Sequence, residues 1–260
     1  MIPLTPKTGV NGINANPLGE ILDLNNRRNK FKLLDLFCGG GGASMGYYRA
    51  GFEVVGVDIK KQPRYPFDFV QGDALILAPE MCQYFDVIHA SPPCQFASVI
   101  TPKEYKKNHP NLISATREVL QNSGKFYVIE NVPGAKEHLT NPLLLCGTFF
   151  GLNLWRHRFF EIKPRIAPPI AKCDHSKRPI LITGSPKRNG QYSKEPNAQQ
   201  QRDAMQTSWM RKIDMDEAIP PAYTEWIGRE LISLLNKEKS KTKRMFEGVS
   251  GLPTNKGSHS

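Results

Sequence analysis

Apolar residues along this chain fall in short runs that stop at a glycine, a proline or an acid. Phe31–Phe37 (FKLLDLF) is apolar at nearly every position and ends at CGGGG. A run that short predicts a buried strand entering a glycine turn rather than a helix. Comparable runs predict strands over Glu53–Val57, near Phe69–Val70, over Phe85–Ala90 and over Lys125–Ile129. These end at Asp58, at Gly72-Asp73, at Ser91-Pro92-Pro93-Cys94 and at Glu130. Helices are predicted over Ser44–Ala50, with Ser44 as N-cap, and over Asn111–Asn122. Strands alternating with helices predict an α/β fold with a mostly parallel sheet. Ligands of such sheets sit beyond the carboxyl ends of the strands. Asp35–Gly42, Asp58, Asp73, Cys94 and Glu130 are therefore all expected along one edge.

The pattern divides the chain further. Residues 1–30 hold Pro3, Pro6, Pro17 and several Asn and Gly, and predict an irregular extension. Residues 31–162 carry the strand–helix alternation. Residues 163–206 contain six prolines and little periodicity, which predicts a small irregular lobe. Residues 207–236 return to regular structure: after Pro220-Pro221, AYTEWIGRELISLLNK is an amphipathic helix with Trp226, Ile227, Leu231 and Leu234 on one face. Residues 237–260 turn basic and polar and predict a flexible tail.

Composition narrows the classes. In 260 residues, 39% are hydrophobic and 23% charged, near globular values, which excludes wholesale disorder. No apolar stretch approaches the roughly 20 residues a membrane span needs. The first thirty residues lack an apolar leader core, so a cytoplasmic location is expected. The net charge of +11 suits a polyanionic partner. Five scattered cysteines without a CxxC pair argue against a disulfide framework and a structural zinc site, and for a reducing compartment. Cys173 and His175 alone make too small a ligand set, so no metal is expected. Cys82, Cys146 and Cys173 read as buried structural thiols.

Candidate chemistry gathers at the strand ends. DLFCGGGGASMG follows a strand and opens a helix, so its glycines let backbone N–H groups approach a ligand. It lacks GK[ST] and is not a P-loop, and its spacing differs from GxGxxG. Asp58 suits the ribose hydroxyls of an adenosine cofactor, and Asp73 suits an adenine amino group. Either aspartate alone reads as a turn or helix cap; in register with the glycine loop they point to a cofactor site. Two prolines fix the backbone before Cys94, where a thiolate could act as nucleophile. Glu130 at the next strand end is placed for proton donation if its pKa is raised. Arg156 and Arg158 in RHRFFE would point to one face of a strand.

Taken in order, DLFCGGGGASMGYYRAGFEVVGVD, SPPCQ, ENVPG, RHRFFE and IPPAYTEWIG resemble the DNA cytosine-5 methyltransferase family, over roughly 31–162 and 200–236. The resemblance implies an S-adenosylmethionine-dependent methyltransferase (Rossmann-like) fold. It implies Cys94 as nucleophile on C6 of a flipped cytosine, Glu130 at N3 and the amino edge, Arg158 at the cytosine carbonyl, and Arg156 supporting the active-site loop. For S-adenosylmethionine it implies a site of Asp35, Phe37, Cys38, Gly39, Gly40 and Gly42, with Asp58 on the ribose, Ile59 against the adenine, Asp73 at its amino group and Pro93 beside the donor methyl. Leu154 stands where the family has Gln, and Asp216-Glu217-Ala218 where it has Gly-Asn-Ala/Ser. The recognition region is short for the family, and between 161 and 200 eight basic residues outnumber three acidic ones. That favours phosphate contact, with Gln95, Ser98, Lys187 and Arg188 near the DNA and a target of about two to four base pairs. Double-stranded DNA is the expected partner and the chain is expected to be a monomer; a restriction endonuclease partner is left open. A tRNA cytosine-5 methyltransferase, or a non-enzymatic DNA-binding relative, is the alternative.

Overall fold

The computed structural model describes residues 30–93, 111–182, 187, 188, 191, 192 and 196–249. Strands β1 (Lys32–Leu36), β2 (Glu53–Asp58), β3 (Asp68–Gln71), β4 (Val87–Ala90), β5 (Phe126–Asn131), β6 (Leu143–Leu145) and β7 (Arg158–Lys163) form one sheet in the order β3-β2-β1-β4-β5-β7-β6. The first five pair in parallel, and β7 runs antiparallel between β5 and β6. Helices α1 (Gly42–Ala50), α2 (Ala74–Met81), α3 (Ile113–Asn122), α4 (Ala198–Met205), α5 (Lys212–Glu217) and α6 (Pro221–Val249) complete the fold, with a two-residue hairpin β8 (Lys187–Arg188) and β9 (Gln191–Tyr192).

Both faces of the sheet are covered, which is why its strands read as continuous apolar runs. Leu33, Val54, Val87 and Val128 face Tyr47 of α1 and Tyr223, Ile227 and Leu231 of α6. Leu34, Leu36, Val55, Val57, Ile88 and Ile129 face Ala78 and Met81 of α2 and Ile113 and Leu120 of α3. Ile166, Ile182 and Met205 join the first of these cores, so the described parts of 163–206 pack on the main body. The strand order reverses at β1, between β2 and β4, and opens the crevice where ligands of such sheets bind. Among the described residues no helix is long and apolar enough to cross a membrane.

Four expectations change. Helix α1 begins at Gly42, with Gly41 at φ 81 as N-cap; Ser44 lies inside the helix, and its hydroxyl donates to Asp35 rather than capping. Helix α6 does not stop at Asn236 but continues to Val249. Residues 237–247 hold no glycine or proline, and Ser240, Thr242 and Arg244 side chains donate to carbonyls one turn back. Within the lobe read as irregular, α4 forms on an Asn197–Gln200 capping box. Its sequence, AQQQRDAM, buries Gln201 and Met205 only, so no apolar stripe marks it. Strand β7 begins at Arg158, leaving Arg156 outside the strand it was expected to share.

Candidate active site

Strands β4 and β5 bring two of the motifs together. Glu130, near the end of β5, is buried, and its Oε1 lies 3.1 Å from Nε of Arg158 at the start of β7. Burial raises the Glu130 pKa, against the opposing pull of Arg158, a hydrogen bond from Ser91, and Arg156. A buried carboxyl with a raised pKa, held by one guanidinium, is suited to giving and taking a proton. The neighbouring Asn131 donates from Nδ2 to the Pro92 carbonyl at 3.0 Å. The Ser91-Pro92-Pro93 turn after β4 is thus clasped to the end of β5. Pro93 is exposed at its tip. Cys94, Gln95 and Ser98 lie outside the described residues.

Behind Glu130 a polar chain runs through the core. The Tyr47 hydroxyl lies 3.0 Å from His89 Nδ1, and His89 Nε2 lies 3.0 Å from Ser91 Oγ. Burial pushes the His89 pKa down to about 3, so the ring is neutral. With Glu130 ionised, one direction satisfies every member: Tyr47 O–H donates to Nδ1, Nε2–H to Ser91, and Ser91 O–H to Glu130. Sequence reading missed Tyr47, His89, Ser91 and Asn131 in this role. The available signal was His89 itself, a polar residue in a strand otherwise wholly apolar.

The glycine loop after β1 divides in function. At Gly39, φ +48, an added Cβ would meet nothing within 4 Å, so this position faces open space. The Cβ directions of Gly40 and Gly42 instead meet Asp214 and Met210 at 3.1 and 3.3 Å, and the Ile219 carbonyl at 2.3 Å. Those two glycines admit the C-terminal segment, and Trp209 Nε1 donates to the Gly40 carbonyl at 2.9 Å. Phe37 takes a positive φ of 58. Cys38 is buried, its N–H donates to Val57 O at 3.0 Å, and burial raises its thiol pKa far above the ordinary value.

The strand-end acids sit as follows. Asp58 closes β2, with Oδ2 accepting from Gly39 N at 2.9 Å and Oδ1 from Lys60 N at 2.8 Å. It thereby holds the glycine loop, while each oxygen keeps acceptor capacity. Ile59 beside it is 65% exposed, unusual for a large aliphatic side chain. Asp73 follows β3 and caps α2 through Leu75 N at 2.8 Å, the capping role that aspartates favour. Asp35 is fully buried on β1; Oδ2 accepts from Ser44, while Oδ1 has no partner. Its pKa is pushed up to about 7, by burial first, against the Ser44 hydrogen bond and with Asp58 and Glu130 adding to the rise.

Arg156, expected in the catalytic set, points elsewhere. Its guanidinium donates to the carbonyls of Ala218, Met215 and Asp216 at 2.8, 3.1 and 2.7 Å. It fixes the segment where Asp216-Glu217-Ala218 departs from the family pattern, so its part is positioning. Leu154, the other departure, is buried in the core. Cys173, expected to be buried, is exposed. Lys187 and Arg188 form β8.

Residues 31–145 match the model of the C-5 cytosine-specific DNA methylases. The type II methyltransferase M.AplI of Arthrospira platensis is 30% identical over 111 residues, 39% of this chain and 31% of that protein. The chain therefore spans about a third of the length of that curated relative. The solved structure of the Entamoeba histolytica methyltransferase EhMeth superposes with a TM-score of 0.54 at 13% identity, over 80% of this chain and 99% of that one. The chain has the α/β fold of the S-adenosylmethionine-dependent methyltransferases, and over residues 31–145 it resembles the C-5 cytosine-specific DNA methylases.

Proposed function

We propose that this chain is a DNA cytosine-5 methyltransferase that takes its methyl group from S-adenosylmethionine. The observation that carries the reading is the clasp at the ends of β4 and β5. There the turn leading into Cys94 is tied to the strand bearing the buried Glu130–Arg158 pair. The cofactor fits the adjoining strand ends. The unpartnered Asp35 Oδ1 suits its ammonium group, and the open side of Gly39 admits backbone contact. Asp58 suits the ribose hydroxyls and the exposed Ile59 an apolar adenine face. Asp73, at the start of α2, is left for the adenine amino group. Phe37, Cys38, Gly40 and Gly42 shape the wall, and Pro93, next to Cys94 in the sequence, lies beside the donor methyl.

When bound, S-adenosylmethionine supplies an electrophilic methyl group on a sulfonium. The chain's own residues must make cytosine nucleophilic. The Cys94 thiolate bonds to C6, the C5–C6 π pair moves to C5, and Glu130 delivers a proton toward N3. Arg158 keeps Glu130 in place and offers further N–H groups to the cytosine carbonyl. C5 takes the methyl group as the donor leaves as a neutral thioether. The C5 proton then passes to water, and the C5–H electron pair re-forms the C5–C6 double bond as the C6–S bond breaks to return the thiolate. The N3 proton goes back to Glu130. Reaching C5 and C6 requires the base to leave the duplex stack. In this reading double-stranded DNA is the partner, the chain acts as a monomer in the cytoplasm, and 163–206 forms the recognition region.

Bisulfite sequencing tests the reading in cells that lack other cytosine methylases. Expression of the chain should create protected cytosines within a short target, and Cys94→Ser should abolish them. DNA carrying 5-fluorocytosine should trap the wild type covalently, because fluorine cannot leave C5 as a proton. Methylated tRNA with unmodified DNA would move the substrate to RNA. Methylation of DNA without trapping would overturn the role of Cys94.

A further inference from the structure

A second cluster lies beside the arginine pair and has no part in methyl transfer. Cys146 follows β6, His157 sits between Arg156 and Arg158, and Cys173 and His175 lie in the loop beyond β7. One ligand atom from each falls within 4.8 Å of the others. His175 Nε2 is 3.5 Å from Cys146 Sγ, and His157 Nε2 is 3.5 Å from Cys173 Sγ. In a tetrahedral site with Zn–S of about 2.3 Å and Zn–N of about 2.0 Å, sulfur and nitrogen ligands stand roughly 3.5 Å apart. Two of the four sulfur–nitrogen edges already have that length.

We propose that Cys146, His157, Cys173 and His175 bind one zinc ion as a closed structural site. Two thiolates and two imidazoles select zinc over magnesium or calcium, which take oxygen ligands. Four protein ligands leave no open position for water or substrate, so the role is structural rather than catalytic. Two thiolates cancel the ion's charge. Thr148 Oγ1, 3.2 Å from Cys146 Sγ, can donate to the thiolate, and Trp155 stacks on the His175 ring at 4.5 Å and 24°. Such outer contacts orient ligands.

The surroundings explain why a metal is needed. Residues 171–178 are all exposed, and direct ties from this loop to the main body are few. Asp174 N donates to Thr148 Oγ1 at 3.2 Å, and Ile180 N to Asn153 O at 2.8 Å. A segment with so little apolar burial requires a staple to hold one conformation. The zinc ion would fasten it to the turn after β6 and to the peptide between the two arginines. The sequence hid this because the ligands come from three separated segments and form no CxxC. The expectation of no metal is revised accordingly.

The test uses the full chain, expressed with zinc added and purified without chelator. Elemental analysis should find about one zinc per chain, released by a thiol-blocking mercurial. Cys173→Ser and His175→Gln, both at exposed positions and compatible with folding, should reduce zinc to background. Cobalt(II) added to the metal-free wild type should give the intense visible bands of a tetrahedral thiolate site, and these should be missing from both variants. A folded wild type that takes up neither metal would overturn the proposal. So would a Cys146–Cys173 disulfide in the purified protein, or either variant retaining full zinc. None of these readouts depends on methyl transfer.

Discussion

Burial shifts the proton affinity of two carboxyls on β1 and β5, Asp35 and Glu130. The folded-state pKa of Asp35, about 7, lies above the unfolded value near 3.9. Between those values the folded chain binds more protons than the unfolded one, so stability falls as pH rises from about 4 to about 7. A shift of that size corresponds to roughly 4 kcal/mol. Asp35→Asn should remove this dependence and make the protein more stable than wild type at pH 8. Urea denaturation at pH 5 and pH 8 measures it, and parallel behaviour of the two proteins would contradict the buried-acid assignment. Glu130→Gln keeps the shape but removes the proton donor, so single-turnover methylation should fall by about 10²–10⁴-fold, with cofactor affinity unchanged in calorimetry. Both acids were legible in the sequence because each ends or interrupts an apolar run at a strand end. The Tyr47–His89–Ser91 chain was not, because its members come from a helix, a strand and a turn, and only the folded sheet brings them into line.

At the scale of elements, close approach of α1 and α6 holds the glycine loop in place. An added Cβ at Gly46 would lie 2.1 Å from both the Pro221 carbonyl and Thr224 Oγ1, and one at Gly228 would lie 2.7 Å from Ala50 Cβ. The same crossing is tied by Thr224 Oγ1 donating to the Ala43 carbonyl at 2.8 Å. Gly46→Ala should therefore destabilise the protein by about 1–3 kcal/mol through overpacking, read as a lower melting temperature. An unchanged melt would mean that these helices do not meet so closely in solution. Sequence patterning found β1, β2, β4 and β5 within a residue or two, because strands buried on both faces leave an unmistakable apolar run. It missed α2 and α4 and ended α6 too early. Basic, polar residues beyond Asn236 look like a tail until the chain is seen to keep its backbone and side-chain hydrogen bonds. Lys239 also sets its ammonium 3.9 Å from the Phe31 ring centroid, tying the extension to the residue just before the first strand.

Over the whole molecule the net charge of +11 and the basic excess of 161–200 make salt the informative variable. A protein that displaces counterions from DNA loses affinity linearly in log salt, by about 0.9 per neutralised phosphate. Lys187 and Arg188 form one strand of the β8–β9 hairpin, within the segment proposed as the recognition region. Neutralising both as Lys187→Gln and Arg188→Gln should reduce the steepness of that dependence by up to about 2. Binding should weaken about equally on specific and unrelated duplexes, because phosphate contacts set position and affinity but not sequence. Binding isotherms across a salt series, on a methylated target and a scrambled duplex, measure both effects. If the slope stays fixed while the methylated sequence changes, the hairpin reads base edges instead, and the basic excess of this region serves discrimination between sequences rather than affinity for the polymer.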